Sequence, residues 1–252
     1  MRFHTNSLVA ALVIPAALAA TAADPPAIPK ISEFAPAEDL IGHVDFFLGR
    51  ADQSLATPKD FDLARQARTV KDANTLAVLA LMLAVHDQMH PLRDSAAAML
   101  AAAQRLATAE DNYETAAKAL ADLKAARAGG GAGAPAAKWE KVGSLGALMK
   151  QVPLIHSALK RGVEPSRLKR QAATSAGQSA ALAAIAQASM LDIEHVANPA
   201  DVAAWREYCA QMREACGMVN SAVRSGDQDR VAEGMQRLTR SCDACHAKFR
   251  QQ

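Results

Sequence analysis

From residue 138 onward apolar positions recur three and four apart, the spacing that lays side chains along one face of an α-helix. Val142, Leu145, Met149, Val152, His156 and Leu159 make one such stripe and predict a helix over 138–160. Pro153 lies inside it. Proline removes an amide donor and crowds the preceding turn, so a kink or a split is expected there. A second helix is predicted over 165–196, stopped by Asn198-Pro199-Ala200-Asp201, and a third over 202–223. Ser225-Gly226-Asp227 ends the third and caps a fourth over 228–250. Four helices with short connections build an up-down-up-down bundle.

The same pattern recurs upstream. Leu63–Ala77 matches Arg167–Ala181 in character without a gap, each segment leading from basic residues into an alanine-rich apolar helix. Carried backwards, that offset sets Ile41, Val44 and Leu48 against Leu145, Leu148 and Val152. The alternative to duplication is chance likeness between two alanine-rich helices. Between the copies, Gly129-Gly130-Gly131-Ala132-Gly133-Ala134-Pro135 interrupts the helical pattern. Each glycine costs about 1 kcal/mol against alanine within a helix, so this stretch reads as a flexible linker. The expected fold is all-α, with two tandem four-helix bundles over 24–128 and 138–252 joined by a linker over 129–137.

Composition supports the class. Half the 252 residues are apolar and only 4% are aromatic, with alanine and other good helix formers dominant. The formal net charge of +2 is carried by interspersed residues, which argues against a nucleic-acid binder or a polybasic membrane module. Met1-Arg2, a short apolar run from Leu8 to Ile14 and small residues before Asp24 describe a secretory signal peptide over 1–23. That run is too short and alanine-rich to span a bilayer comfortably, though an uncleaved anchor is the other reading. Export to the periplasm, or an equivalent outer compartment, and no stable membrane insertion are expected.

The most specific chemistry lies at the end of the fourth predicted helix, in Cys242-Asp243-Ala244-Cys245-His246. Two thiols and an adjoining imidazole in this spacing are what covalent attachment of haem c requires. A redox CxxC belongs at the start of a helix in a βαβ unit, and no strand is predicted here. Structural zinc needs two further ligands. Cys209 and Cys216 exist, but on another helix and without CxxC spacing. Seven residues apart, they lie about 10 Å from each other along one helix face. That is too far for a mutual disulfide, and they read as small buried hydrophobes.

The ending Cys242-Asp243-Ala244-Cys245-His246-Ala247-Lys248-Phe249-Arg250 resembles the cytochrome c-prime family, the class II c-type cytochromes. The resemblance covers about 138–252 and is specific at this motif. It implies one haem c bound through Cys242 and Cys245, His246 as proximal axial ligand, Phe249 packed on the macrocycle and Arg250 beside its proximal face. An ordinary core aromatic and a helix-end cation are the alternatives for those last two. In such a bundle the first and last helices run antiparallel, so the haem faces the start of the first, where Leu145 and Met149 lie one turn apart. High-spin members of the family place an apolar residue there and leave iron five-coordinate for nitric oxide or carbon monoxide. Low-spin relatives use a methionine, which raises the potential and suits electron transfer. Met149 is favoured as sixth ligand, with Leu145 as pocket wall. The alternative for Met149 is a gap-filling core methionine.

Other candidates carry less. His156 lies about 10 Å beyond Met149, too far for the iron, and reads as a hydrogen-bonded core histidine. His195 reads as a surface or turn residue. His86 and His90, four apart on a predicted helix, could share a metal but lack a third ligand. Opposite the attachment motif the first half carries Ala125-Ala126-Arg127-Ala128-Gly129-Gly130, and Asp45 falls opposite Met149, so that half cannot hold haem c. It is expected to serve as a docking face or to stand in for the second subunit of a dimer; a homodimer of whole chains is compatible too. Electron transfer to a redox partner protein is the favoured function and diatomic gas binding the alternative. With no acid–base pair or second cofactor motif, an enzyme is not expected.

Overall fold

A computed structural model describes residues 25–109 and 111–250 of the chain; the leader expected over 1–23 lies outside them. Among the described residues the protein is all-helical, with no strand. The first half holds α1 (Ala37–Ser54), α2 (Pro58–Ala64), a π-helical turn (Arg65–Thr69) that runs into α3 (Val70–Ala84), α4 (Ala96–Ala107) and α5 (Tyr113–Arg127). The second holds α6 (Leu145–Gly162), α7 (Leu168–Ser189), α8 (Val202–Ser225) and α9 (Gln228–Phe249). No described helix is long and apolar enough to cross a membrane.

Local chemistry accounts for the sharpest boundaries. Gly226 takes the left-handed conformation (φ 71°) that ends α8, a conformation a Cβ would penalise. The Asp227 carboxylate then accepts from the Arg230 N–H at 3.1 Å and starts α9. Thr57 and Asn112 cap α2 and α5 in the same way.

Two expected boundaries are corrected. The helix predicted over 138–160 starts only at Leu145, because the preceding residues are engaged elsewhere. The Trp139 indole N–H donates to the Pro26 carbonyl, and the Ser144 N–H donates to Asn74 Oδ1 at 2.7 Å. Once begun, α6 runs on through Pro153 without splitting. The helix predicted over 165–196 is shorter at both ends, and Asn198 caps a separate 3-10 turn before α8.

Two helices have no wet face over most of their length. Every residue from Asp72 to Leu83 of α3 is buried, and so is every residue from Ser175 to Ser189 of α7. Helices apolar on all sides belong at a centre, and α3 and α7 touch each other there. Some of their polar side chains are satisfied within the helix or by a neighbour: Thr75 Oγ1–H donates to the Lys71 carbonyl and Ser179 Oγ–H to that of Cys216, whereas Ser175 Oγ and Gln178 Oε1 are buried without a partner. Around this pair α1 packs on α3 and α7, and α6 packs on α7 and α3. One apolar core therefore runs through both halves.

The contact between α1 and α7 is close. A Cβ on Gly177 would meet the Asp39 carbonyl oxygen at 3.3 Å and His43 Nδ1 at 3.4 Å. Beside it the buried Asp39 carboxylate accepts from Asn220 Nδ2 (2.8 Å) and from Arg224. Burial raises the Asp39 pKa, while Asn220 and Arg224 pull against that shift.

Candidate functional site

The apolar stripe of α9 passes from Val231 through Gly234, Leu238 and Ser241, all buried, and continues into Cys242 and Cys245. Helical periodicity therefore turns both thiols inward. Cys242 packs against the main core, and Cys245 against a second, smaller apolar cluster of Leu145, Met190, Val196, Trp205 and Cys209. His246, one position on, is exposed at the rim.

The two cysteines and His246 line an enclosed cavity of about 70 Å³ between α6, α7, α8 and α9. Met149, Val152 and Pro153 of α6 form one wall, and Trp205, Tyr208, Cys209 and Met212 of α8 another. No Asp, Glu, Lys or Arg side chain enters the lining. Sulfur and aromatic groups dominate it, the donors and surfaces that suit a soft iron centre in a flat π-system. Burial pushes the Cys245 thiol up to about 11 and raises Cys242 as well, so both are protonated at neutral pH.

A space of this size holds a few waters and is smaller than a haem. The extension lies along the seam between α6 and α9. The α6–α7, α7–α8 and α8–α9 seams are tightly closed, whereas α6 and α9 barely touch. Past Pro153 and Ser241 the same seam opens into a groove of about 600 Å³ lined by His156, Lys160, Val163, Val231, Met235 and Arg240. Two inward thiols, a rim imidazole, a soft lining and an unclosed seam are a set of groups that could hold a covalently attached haem.

The predicted residues fall into place unevenly. Met149 reaches both the cavity and the small cluster. Leu145 belongs to the cluster behind it and does not line the cavity itself. Phe249 packs edge-on to Trp205 (5.3 Å) and Tyr208 (6.1 Å), and the Trp205 indole N–H donates to the Ser189 carbonyl at 2.9 Å. Arg250 is exposed just past the end of α9, its N–H bonded to the His246 carbonyl.

His156 is not a hydrogen-bonded core histidine: it is half-buried in the groove, and its Nε2 has no partner. Burial and the neighbouring Lys160 hold its pKa below the usual value. His195 is exposed in the turn after α7. His86 and His90 lie past the end of α3, not on a helix. Their ring nitrogens are taken up by the Ala35 and Leu83 carbonyls and the Gln88 and Leu92 amides, which staples the loop and leaves nothing for a metal. No cluster among the described residues could hold a metal ion through His, Cys, Asp or Glu alone.

Trp205, Tyr208 and Met212 line the cavity although the sequence pattern did not single them out, and Cys209, read from the sequence as a small buried hydrophobe, lines it with them. Their three-and-four spacing along α8 was the available signal. No family model matches the chain, and neither a curated protein nor a solved structure does.

Proposed function

We propose that the chain is an exported c-type cytochrome of the cytochrome c-prime kind, carrying one haem c and transferring electrons. One observation carries the reading: Cys242, Cys245 and His246 line the same cavity as Met149, at the only seam of the α6–α9 group left unclosed. Cys242 and Cys245 would hold the haem through their sulfurs, and His246 and Met149 would supply ligands to its iron. When bound, the haem supplies a one-electron iron couple, and thioether ligation raises its potential. Trp205, Tyr208 and Phe249 exclude water from one side, and the exposed rim at His246 offers the edge a redox partner needs.

We read α1, α3, α4 and α5 as a first bundle and α6 to α9 as its haem-bearing counterpart. Support comes from the way the halves meet. The 104-residue offset that sets Leu63 against Arg167 pairs α1 with α6 and α3 with α7. Under that exchange the α1–α7 contact becomes the α6–α3 contact, and both occur. Asp39 against Gly177 becomes Gly143 against Ala73, and a Cβ on Gly143 would meet the side chain of Asn74, the next residue, at 3.1 Å. Such reciprocity characterises an isologous interface, in which one patch is used twice. The haem-free half thus stands where a second subunit would.

The test is the optical and resonance Raman spectrum of the holoprotein in both oxidation states. A low-spin spectrum that turns high-spin in Met149→Ala is expected. A high-spin ferrous form that takes up carbon monoxide promptly would replace electron transfer by diatomic gas binding, and absence of covalent haem would end the reading.

A further inference from the structure

We propose that Cys209 is a disulfide partner for Cys245: in the haem-free chain the two sulfurs can join across the α8–α9 interface, and the joined form cannot accept haem at Cys245. The second half of this statement rests on the haem reading; the first does not.

Helix register singles out this pair. Antiparallel α8 and α9 approach closely where a Cβ on Gly234 would sit 2.7 Å from Val219 Cγ2 and 3.2 Å from its backbone nitrogen. From that crossing, Cys209 lies ten residues back along α8 and Cys245 eleven residues on along α9. At 1.5 Å per residue the two stand at nearly the same height. Cys216 and Cys242, three residues back and eight on, are offset by more than a turn along the helices; the Cys242 sulfur still acts on the fully buried Cys216, which makes them the competing pair. Cys209 and Cys245 also line one cavity and belong to one apolar cluster. The Cys209 thiol is pushed up by its burial and by the Cys245 sulfur beside it. Cys245, half-buried, is the more accessible of the two.

The chemistry balances with a small disulfide as oxidant. The Cys245 thiolate attacks glutathione disulfide and expels one glutathione thiolate. The Cys209 thiolate then attacks the mixed disulfide and expels the second, and the two cysteine protons end on the two glutathiones. Haem attachment needs the Cys245 S–H to add across a vinyl group, and a disulfide sulfur has no S–H to give.

The experiment treats the full haem-free chain with glutathione disulfide, alkylates remaining thiols in denaturant and maps the peptides by mass spectrometry. The expected product links Cys209 to Cys245 and leaves Cys216 and Cys242 alkylated. In C209A, Cys245 either stays alkylatable or pairs with Cys242. A wild-type product linking only Cys242 to Cys245 or only Cys216 to Cys242, or no linkage, overturns the proposal. Haem incorporation into reduced and oxidised chain is the second readout: the reduced form alone is expected to take up covalent haem. If the linkage forms and neither form takes haem, the disulfide stands and the cytochrome reading fails.

Discussion

Arg127 grips Asp45 with two hydrogen bonds, Nε–H to Oδ1 at 2.7 Å and a terminal N–H to Oδ2 at 2.9 Å. In the repeat proposed above, Asp45 on α1 is the counterpart of Met149 on α6, and Arg127 ends the counterpart of α9. The ion pair ties α1 to α5, joined further along by Lys124 and Asp52 (2.8 Å), whereas α6 and α9 leave a seam open beside the cysteines.

Both partners of this pair are partly exposed, so its energetic worth is small. Asp45→Ala is expected to lower stability in urea by no more than about 1 kcal/mol. Asp45→Met is expected to leave haem at one per chain, measured by the pyridine haemochrome spectrum, since a thioether without attached cysteines holds no haem c.

The Asp39–Asn220 contact behaves differently because it is buried at the junction of the halves. Asn220→Ala strips a donor from a carboxylate that burial already disfavours, at a cost of about 2 kcal/mol. In a double-mutant cycle with Asp39→Asn, part of that cost is recovered. Strict additivity would show that the hydrogen bond contributes nothing.

Close helix approach makes two glycines sensitive. Gly234→Ala drives a Cβ into Val219 and pushes α9 from α8, and Gly177→Val intrudes on Asp39 and His43. Each is expected to cost about 1–3 kcal/mol by overpacking. Only the first is expected to alter the haem spectrum, because only it moves the helix that bears the cysteines.

Acid tests the junction through His43, whose pKa is lowered to about 4, first by burial and then by Arg50. The fold holds its neutral form, so its contribution is complete above the unfolded value of 6.5 and is lost as pH falls from there towards 4. The loss reaches about 3 kcal/mol. Asp72, raised to about 6 by burial against the pull of Arg50, works in the opposite sense: its native site prefers the protonated acid, so acidification from 6 towards 3.8 adds stability. Thermal unfolding of His43→Leu is therefore expected to show stability rising on acidification through that window, and that of Asp72→Asn a steeper fall than wild type. Parallel profiles for all three proteins would contradict this account.

Much of the second half was legible because its signals are local. Ser225-Gly226-Asp227 marked a boundary that the backbone keeps, and the spacing of Cys242, Cys245 and His246 placed them on one helical stretch. The start of α6 was not legible. Trp139 and Ser144 are held by Pro26 and Asn74, more than a hundred and about seventy residues away, and nothing in the local pattern reports such partners. The stripe of α6 was half right for a related reason. Leu148, Ile155 and Leu159 face the core, whereas Met149, Val152 and His156 are only partly buried because they face the seam. A helix with two different neighbours has two apolar faces, and a single stripe cannot describe both. The α8 wall escaped notice because its residues are ordinary until α9 is set against them.

The unwetted middle of α3 and α7 has a consequence for how the chain can be taken apart. Neither half can leave the other without stripping its central helix bare, so a single calorimetric transition is expected despite the glycine-rich stretch between them. A protease cut within that stretch is expected to yield two fragments that co-purify under native conditions and separate only in denaturant. Expressed apart, they are expected to be insoluble alone and to complement each other when mixed.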